Sequence, residues 1–429
     1  MPDSSAERHL LVFWRWPAER LEETLGKIQQ KLDIEQVALL RWTPERIVEN
    51  FQRFYAMISR HAYQKYEQAG ASPFLFVLVT DKAPVYQYRI APGSGFKRVN
   101  INTFDLKQVL RKQGGTSLHA TNDQREFRRD LMYLMGQSAT DYPPAKWDGR
   151  MDNIPEVRRD IVAADGWESL EQVFSVLNEA VSYVVLRNFD HLPNGKDQDA
   201  TGDIDLLFED ADARNRAAGI LNKEQKGTTI VGGRKVAFDF RSVEDFYFDP
   251  EWCRRILRDR IMVRGMYVPT PEDHFFSLLY HVHVQKRQSA AKYNSKLTEL
   301  AQDIGLDWVT PEWLTKPQNA GSLIADWLKG NGFYLTRPGG WPQYDWRIVR
   351  RFHGAPVLYQ SSPIYKRIGH FMARRAWLRP LVPHLLALRR KMKRLNIRKS
   401  AKNVAETFRI SAKKPQLPQK AKDKARAAA

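Results

Sequence analysis

A chain of 429 residues exceeds what one hydrophobic core usually holds, so two or three domains are expected, and no run of about 18 uncharged apolar residues is present to span a membrane. Cys253 is the only cysteine, which excludes an intrachain disulfide and a thiolate metal cluster and fits a reducing, cytoplasmic setting. The formal charge of +19 is concentrated: residues 365–429 hold 20 of the 68 Lys+Arg and 2 of the 49 acids, leaving 48 basic and 47 acidic residues elsewhere, so the body of the chain is neutral.

The N-terminus, MPDSSAERHLLVFWRWP, has charges on both sides of a short apolar run and no cleavage site of a secretory signal. HLLVFW (9–14) reads as a strand, ERLEETLGKIQQKL (19–32) as an amphipathic helix and VALLRW (37–42) as a strand. PERIVENFQRFYAMISRHAYQKYEQA (44–69) reads as one long helix, followed by strands PFLFVLVTD (73–81) and VYQYRI (85–90). This order predicts an α/β (α+β) sandwich related to the ferredoxin-like arrangement over residues 1–140. TNDQ (121–124) has the form of a capping box opening a helix, with Phe127, Leu131 and Leu134 as its core stripe.

Periodicity stops between Gly136 and Pro155, where DYPPAKWDGRMDNIP carries three prolines, and residues 141–164 are expected to be a linker. A second domain, 165–335, opens with the helix SLEQVFSVLNEA (169–180) and the strand SYVVLRNF (182–189). A polar loop leads to GDIDLLF (202–208), then a helix, the hairpin-like TTIVGGRKVAFDFRS (228–242) and a mostly helical region from Pro271. Residues 336–429 form an irregular stretch and a basic tail. Leucines and Trp377 interleaved with the tail's basic residues favour an anionic membrane surface, peripheral to the inner membrane, over nucleic acid, whose phosphates need no leucines. A solvated tail with one packed helix is the remaining reading, and SAKKPQLPQKAKDKARAAA is expected to be disordered.

Side chains alternate across a strand, so Asp203 and Asp205 share one face of GDIDLLF while Ile204 and Leu206 share the other. VAFDFR repeats the pattern, with Asp239 between Phe238 and Phe240. Neighbouring strands would bring three mutually repelling carboxylates together, and a hard divalent cation, Mg2+ or Mn2+, is their natural neutraliser. Such a site would bind the phosphates of a nucleoside triphosphate while a carboxylate helps deprotonate an acceptor hydroxyl. The alternative is that these aspartates are strand-edge residues at a turn.

The pattern VVLRNF…GDIDLLFED…VAFDFR over residues 165–300 resembles the nucleotidyltransferase superfamily, the fold of DNA polymerase β, and within it uncharacterised bacterial nucleotidyltransferase-like proteins. EDHFFSLLYHVHVQK (272–286) is similar to the helical segment that follows the acids in those proteins. The resemblance implies Asp203 and Asp205 as the metal pair and Asp239 as the third carboxylate; Arg187, Asn188 and Arg241 are candidate nucleotide contacts from their own chemistry, and His281 and Lys286 are expected as helix residues packed near the cleft, with phosphate contact as their candidate role. Arg187-Asn188 stands where the superfamily has Gly-Gly or Gly-Ser, whose amides meet the triphosphate. His281 and His283 are two apart on an expected helix and point in different directions, whereas His274 and His281 share a face.

SLHATNDQREFRRDL (117–131) resembles the active-site segment IIHGSDSxESAxxEI of nucleoside diphosphate kinases, and the likeness spans most of residues 8–136. It implies His119 as a phosphoryl-carrying nucleophile, Thr121 in place of the following serine, and Asp130 as the carboxylate that orients the imidazole. The arginine-bearing PGTIRGD loop of that family is replaced by GSGFKRVNINTFD, and Arg15 is the nearest basic candidate for its strand lysine. His119 in a capped turn of a fold with altered chemistry is the competing reading.

Together these readings predict a magnesium-dependent nucleotidyltransferase acting on a hydroxyl or phosphate acceptor, in surface-polysaccharide or lipid-linked glycan assembly by family analogy. A non-catalytic scaffold retaining both folds, and a phosphotransferase acting through phospho-His119, are the rival expectations.

Overall fold

The computed structural model describes residues 6–91, 95–112, 116–193, 203–221, 227–245, 247–285, 293–337 and 357–358. The basic tail and Lys286 lie outside the described residues. The fold is mixed α/β of the α+β kind, with several separate sheets. No helix of the described residues is long and apolar enough to cross a membrane.

The first half runs β1 (Glu7–Arg15), α1 (Leu21–Gln29), β2 (Asp33–Arg41), α2 (Ile47–Phe54), α3 (Ser59–Ala69), β3 (Phe74–Asp81), β4 (Tyr86–Ala91), β5 (Gly95–Asn100), α4 (Ile101–Arg111), β6 (Ser117–Ala120), α5 (Gln124–Met135) and β7 (Glu156–Arg158). β4 and β5 form a separate hairpin, and the other strands form one sheet in the order β6-β1-β3-β2-β7. Only the β2–β7 pairing is parallel in that sheet. Alternation along β1 splits its apolar residues between two layers. Leu11 and Phe13 pack with Leu25 and Ile28 of α1 and Leu106 and Leu110 of α4. Leu10, Val12 and Trp14 face the other way, where Trp14 meets the rings of Trp42, Phe51, Phe54 and Phe74 at 5.1–5.4 Å.

Residues 44–69 are broken rather than one helix. α2 points Ile47, Phe51 and Phe54 into the core and ends at Phe54, two residues before Ala56, whose φ is +50°. α3 then buries only Ala62 and Ala69, so a continuous helix had no second apolar face to hold it on the sheet. The capping box also sits two residues later than expected. Asp123 accepts from the Glu126 amide at 2.8 Å, and Glu126 reaches back to the Asn122 amide at 2.7 Å. Phe127, Leu131 and Leu134 are buried as the stripe predicts. α4 and β6 lie outside the elements expected from periodicity, although Asn100, whose side chain accepts from the Asn102 and Thr103 amides, is a legible cap.

The chain continues with α6 (Leu170–Ala180), β8 (Tyr183–Val185), β9 (Ile204–Phe208), α7 (Ala211–Ile220), β10 (Thr228–Val231), β11 (Arg234–Ser242), α8 (Pro250–Asp259), β12 (Ile261–Val263), β13 (Met266–Val268) and α9 (Pro271–Tyr280). The second sheet has the order β10-β11-β9-β8, with β9 and β11 parallel and both outer pairings antiparallel. After a π turn, His281–Gln285, come α10 (Asn294–Asp303), α11 (Pro311–Leu314), α12 (Pro317–Gly330), β14 (Thr336–Arg337) and β15 (Val357–Leu358).

The described residues divide into two compact units. One comprises 6–244 and 253–274 and contains both large sheets, joined by a single buried layer. That layer runs from Leu10, Val12 and Phe76 through Leu131 and Leu134 of α5 and Val173 and Leu177 of α6 to Val185, Leu206 and Phe238. α7 meets the end of α2 at Gly219, where an added Cβ would lie 2.8 Å from the Ala56 Cα and still closer to its Cβ. Gly219→Ala is therefore expected to destabilise by about 1–3 kcal/mol, read as a lower midpoint in urea; an unchanged midpoint would show that α7 can shift away.

The other unit comprises 245–252 and 275–337 with β15. It is built on an aromatic cluster in which Trp252 meets Phe248, Tyr280, Trp327 and Phe333 at 4.6–6.1 Å. Buried Asp249 accepts from the amides of Glu251 and Tyr334 at 2.7 and 3.1 Å.

Candidate functional site

Of the three acids expected together in the second sheet, strand register brings two, Asp205 and Asp239, side by side, and with Asp203 they do not form a group of ligand atoms within 4.8 Å of one another. Ile204, Leu206 and Phe208 of β9, with Phe238 of β11, belong to the shared buried layer, so Asp205 and Asp239 occupy the opposite face of their strands. In the parallel β9–β11 pair Asp205 stands directly beside Asp239. Asp205 is buried, Asp239 is about one-third exposed, and Asp203 is exposed one residue before β9.

Each of the paired acids carries an arginine. Arg187 donates from Nη2 to Asp205 Oδ1 at 2.7 Å, with both side chains buried, and Arg241 donates from Nη2 to Asp239 Oδ2 at 2.6 Å. Burial pushes the Asp205 carboxyl above its ordinary value; Arg187 opposes the shift and the charge of Asp239 adds to it. The strand 182–189 is shorter than expected, because β8 ends at Val185 and Asn188 takes a left-handed φ of +57°. Asn is among the few side chains that accept this conformation.

The histidines of the helical segment are held separately. His274 packs on the Phe189 ring at 4.5 Å. His281 pairs through Nδ1 with the Tyr247 hydroxyl at 2.6 Å, and Gln285 donates to the Tyr247 carbonyl at 2.8 Å.

In the first sheet His119 lies on β6, not in a capped turn. Its Nε2 meets Asp130 Oδ2 at 2.6 Å, and Arg129 donates to the other oxygen of Asp130 from Nε at 2.8 Å and Nη2 at 2.6 Å. The imidazole edge packs against Phe54 and Tyr55, with ring centroids at 5.3 and 5.6 Å. Among the described residues, His119, Glu126 and Asp130 are the one group of three ligand-type side chains whose atoms lie within 4.8 Å of one another. Burial opposes ionisation of Glu126, yet His119, Arg129, the Asn122 amide and Lys107 lower it to about 2. Arg129 is paired with both carboxylates, so a metal there would compete with a partly buried guanidinium, as one at Asp205 and Asp239 would compete with Arg187 and Arg241. Glu126 and Arg129 do not stand out in the sequence, although their three-residue spacing on α5 places them on one face with Asp130 adjacent.

The chain matches no protein-family model, no curated protein and no solved structure.

Two constellations among the described residues offer groups suited to chemistry: an acid pair on β9 and β11 with an arginine at each acid, and an imidazole on β6 held by a carboxylate. The acid pair offers hard oxygen donors side by side, and an arginine holds one oxygen of each carboxylate. This donor set fits a hard divalent cation better than a soft one.

Proposed function

We propose that the protein is a metal-dependent nucleotidyltransferase, moving a nucleotidyl group from a nucleoside triphosphate to a hydroxyl or phosphate acceptor. The in-register placement of Asp205 beside Asp239 on parallel strands carries this reading. The order β8, β9, α7 and the β10–β11 hairpin, with an exposed acid just before β9, supports the likeness to the nucleotidyltransferase fold. The left-handed Asn188 supports it further, since it lets the chain turn after β8 without the glycine the superfamily uses.

In this reading Asp203, Asp205 and Asp239 would hold Mg2+ or Mn2+. A cation bound there neutralises triphosphate charge and stabilises the attacking and leaving oxygens. The acceptor oxygen forms a bond to the α-phosphorus, the bond to the bridging oxygen breaks, and pyrophosphate leaves. Asp239, the more exposed of the paired acids, takes the acceptor proton. Arg187 and Arg241 place positive charge at the two acids, which favours the approach of phosphate oxygens. A glycan or lipid-linked acceptor at an anionic membrane is the setting that the tail's composition favours.

A second reading is favoured by a separate observation, the 2.6 Å contact of His119 with Asp130. Here His119 Nδ1 forms a bond to the γ-phosphorus, the bond to the bridging oxygen breaks and a diphosphate leaves, while Asp130 holds the proton on Nε2. The strand order β6-β1-β3-β2, with helices between strands, supports a ferredoxin-like and nucleoside diphosphate kinase-like first half.

Turnover of triphosphates labelled at the α- and γ-positions separates the readings. The first expects α-label transfer that needs Mg2+, survives His119→Ala and disappears in Asp203→Ala. Loss in His119→Ala with retention in Asp203→Ala would transfer the assignment to the histidine. Absence of magnesium-nucleotide binding by folded protein in calorimetry would leave a scaffold.

A further inference from the structure

The edge strand β6 gathers basic side chains around its carbonyls and hydroxyl. Lys65 of α3 donates from Nζ to Ser117 Oγ at 2.9 Å and lies 5.8 Å from the Tyr55 ring centroid. Arg111, the last residue of α4, donates from Nε and Nη2 to the Leu118 carbonyl at 3.0 and 2.7 Å. Lys107, one turn earlier and buried, donates to the Ala120 carbonyl and to Asn122 Oδ1, both at 3.1 Å. The acceptors of all three are neutral oxygens, and among the described residues none of the three pairs with a carboxylate.

The local charge balance is positive. Burial lowers Lys65 to about 8, and the neighbouring Arg111 charge adds to the shift. Lys107 is also lowered to about 8, by burial first, with Glu126 and Asp130 opposing and Arg111 adding. Those two acids are already committed, Glu126 to Asn122 and Arg129, and Asp130 to His119 and Arg129. Tyr55 is no counter-anion either: burial raises its hydroxyl far above the usual range, and Trp14 donates to it at 2.5 Å. Lys65 is half-buried and Lys107 buried beside the charge of the more exposed Arg111, and burying a cation next to a like charge lowers stability unless an anion offsets it. Ser117 accepts from Lys65 and keeps its own proton to donate, while Arg111 keeps N–H groups beyond those on Leu118. An ammonium, a guanidinium and a hydroxyl together match an oxyanion with several acceptor oxygens.

We propose that Lys65, Arg111 and Ser117 form an oxyanion site at the β6 edge that takes the phosphate chain of a polyphosphate or nucleoside triphosphate, with Lys107 adding charge behind it. Ser117 and His119 alternate onto the same face of β6, and the Tyr55 ring adjoins both Lys65 and His119, so the anion sits beside the imidazole. The site does not depend on the acid pair of β9 and β11, nor on whether His119 carries phosphate.

Site-resolved acetylation of the full chain, read by mass spectrometry, tests this without interference from the basic tail. Saturating tripolyphosphate is expected to slow acetylation of Lys65 about tenfold or more while exposed Lys31 is unaffected. Arg111→Met should abolish most of that protection and Asp203→Asn should keep it. Lys65→Met should melt at a higher temperature than wild type in anion-free buffer and lose the stabilisation that tripolyphosphate gives wild type. Equal Lys65 rates with and without tripolyphosphate, equal slowing at Lys31, or full protection in Arg111→Met would overturn the assignment. If Arg111→Met does not fold, Ser117→Ala serves with the same two outcomes.

Discussion

Arg187→Met is expected to cost about 3–5 kcal/mol of stability at neutral pH, the largest single effect of any charge removal near the acid pair. The guanidinium is the hydrogen-bond partner of a buried carboxylate, and methionine fills its volume without its charge. Asp205 would then remain buried beside Asp239 with its closest positive charge gone. The pH dependence identifies the cause. Burial already places the folded-state pKa of Asp205 above its unfolded value, and Arg187 holds it down. Without Arg187 the folded chain binds a proton that the unfolded chain releases, so stability falls as pH rises from the ordinary carboxylate value through the raised one. Urea midpoints across that window should show the deficit of Arg187→Met shrinking on acidification. A deficit independent of pH would mean that the arginine contributes packing alone.

Manganese affinity, read by electron paramagnetic resonance, is expected to fall at least about 10–100-fold in Asp239→Asn with little change in the unfolding midpoint. The substituted amide would keep the shape of the side chain and lose the anionic donor, while Arg241 loses a partner at a partly exposed position where an ion pair contributes little. In wild type the affinity should also weaken as pH falls, because Asp205 must give up a proton that it holds more tightly than an ordinary aspartate does. Retained affinity in Asp239→Asn would remove the acid pair as a metal site while leaving the β6 anion site untouched.

Much of the strand framework was legible because alternation is a strong signal. The separation of Ile204 and Leu206 from Asp205, and of Phe238 from Asp239, follows from period two alone. Which strand lies beside which does not, and the register that sets Asp239 against Asp205 needed the folded sheet. The two arginines show the same limit. Arg241 lies two residues from its acid in one strand, whereas Arg187 reaches Asp205 across 18 residues, and no local pattern encodes that pairing. At 44–69 the composition is helical throughout, and only the lack of a second apolar face after Ala56 breaks the helix. Lys65, Lys107 and Arg111 read as ordinary helix-surface residues until β6 supplies the carbonyls and hydroxyl they meet.

The buried layer joining the two large sheets has a consequence for how the candidate sites report on each other. Leu131 and Leu134 of α5 share it with Leu206 of β9, while Asp130 and Asp205 lie next to those residues in the chain. If that layer melts as one cooperative block, occupancy at either constellation adds its binding free energy to the same transition. A ligand for the imidazole side would then raise the melting temperature of the acid side, with no signal passing between them beyond the shared cost of opening.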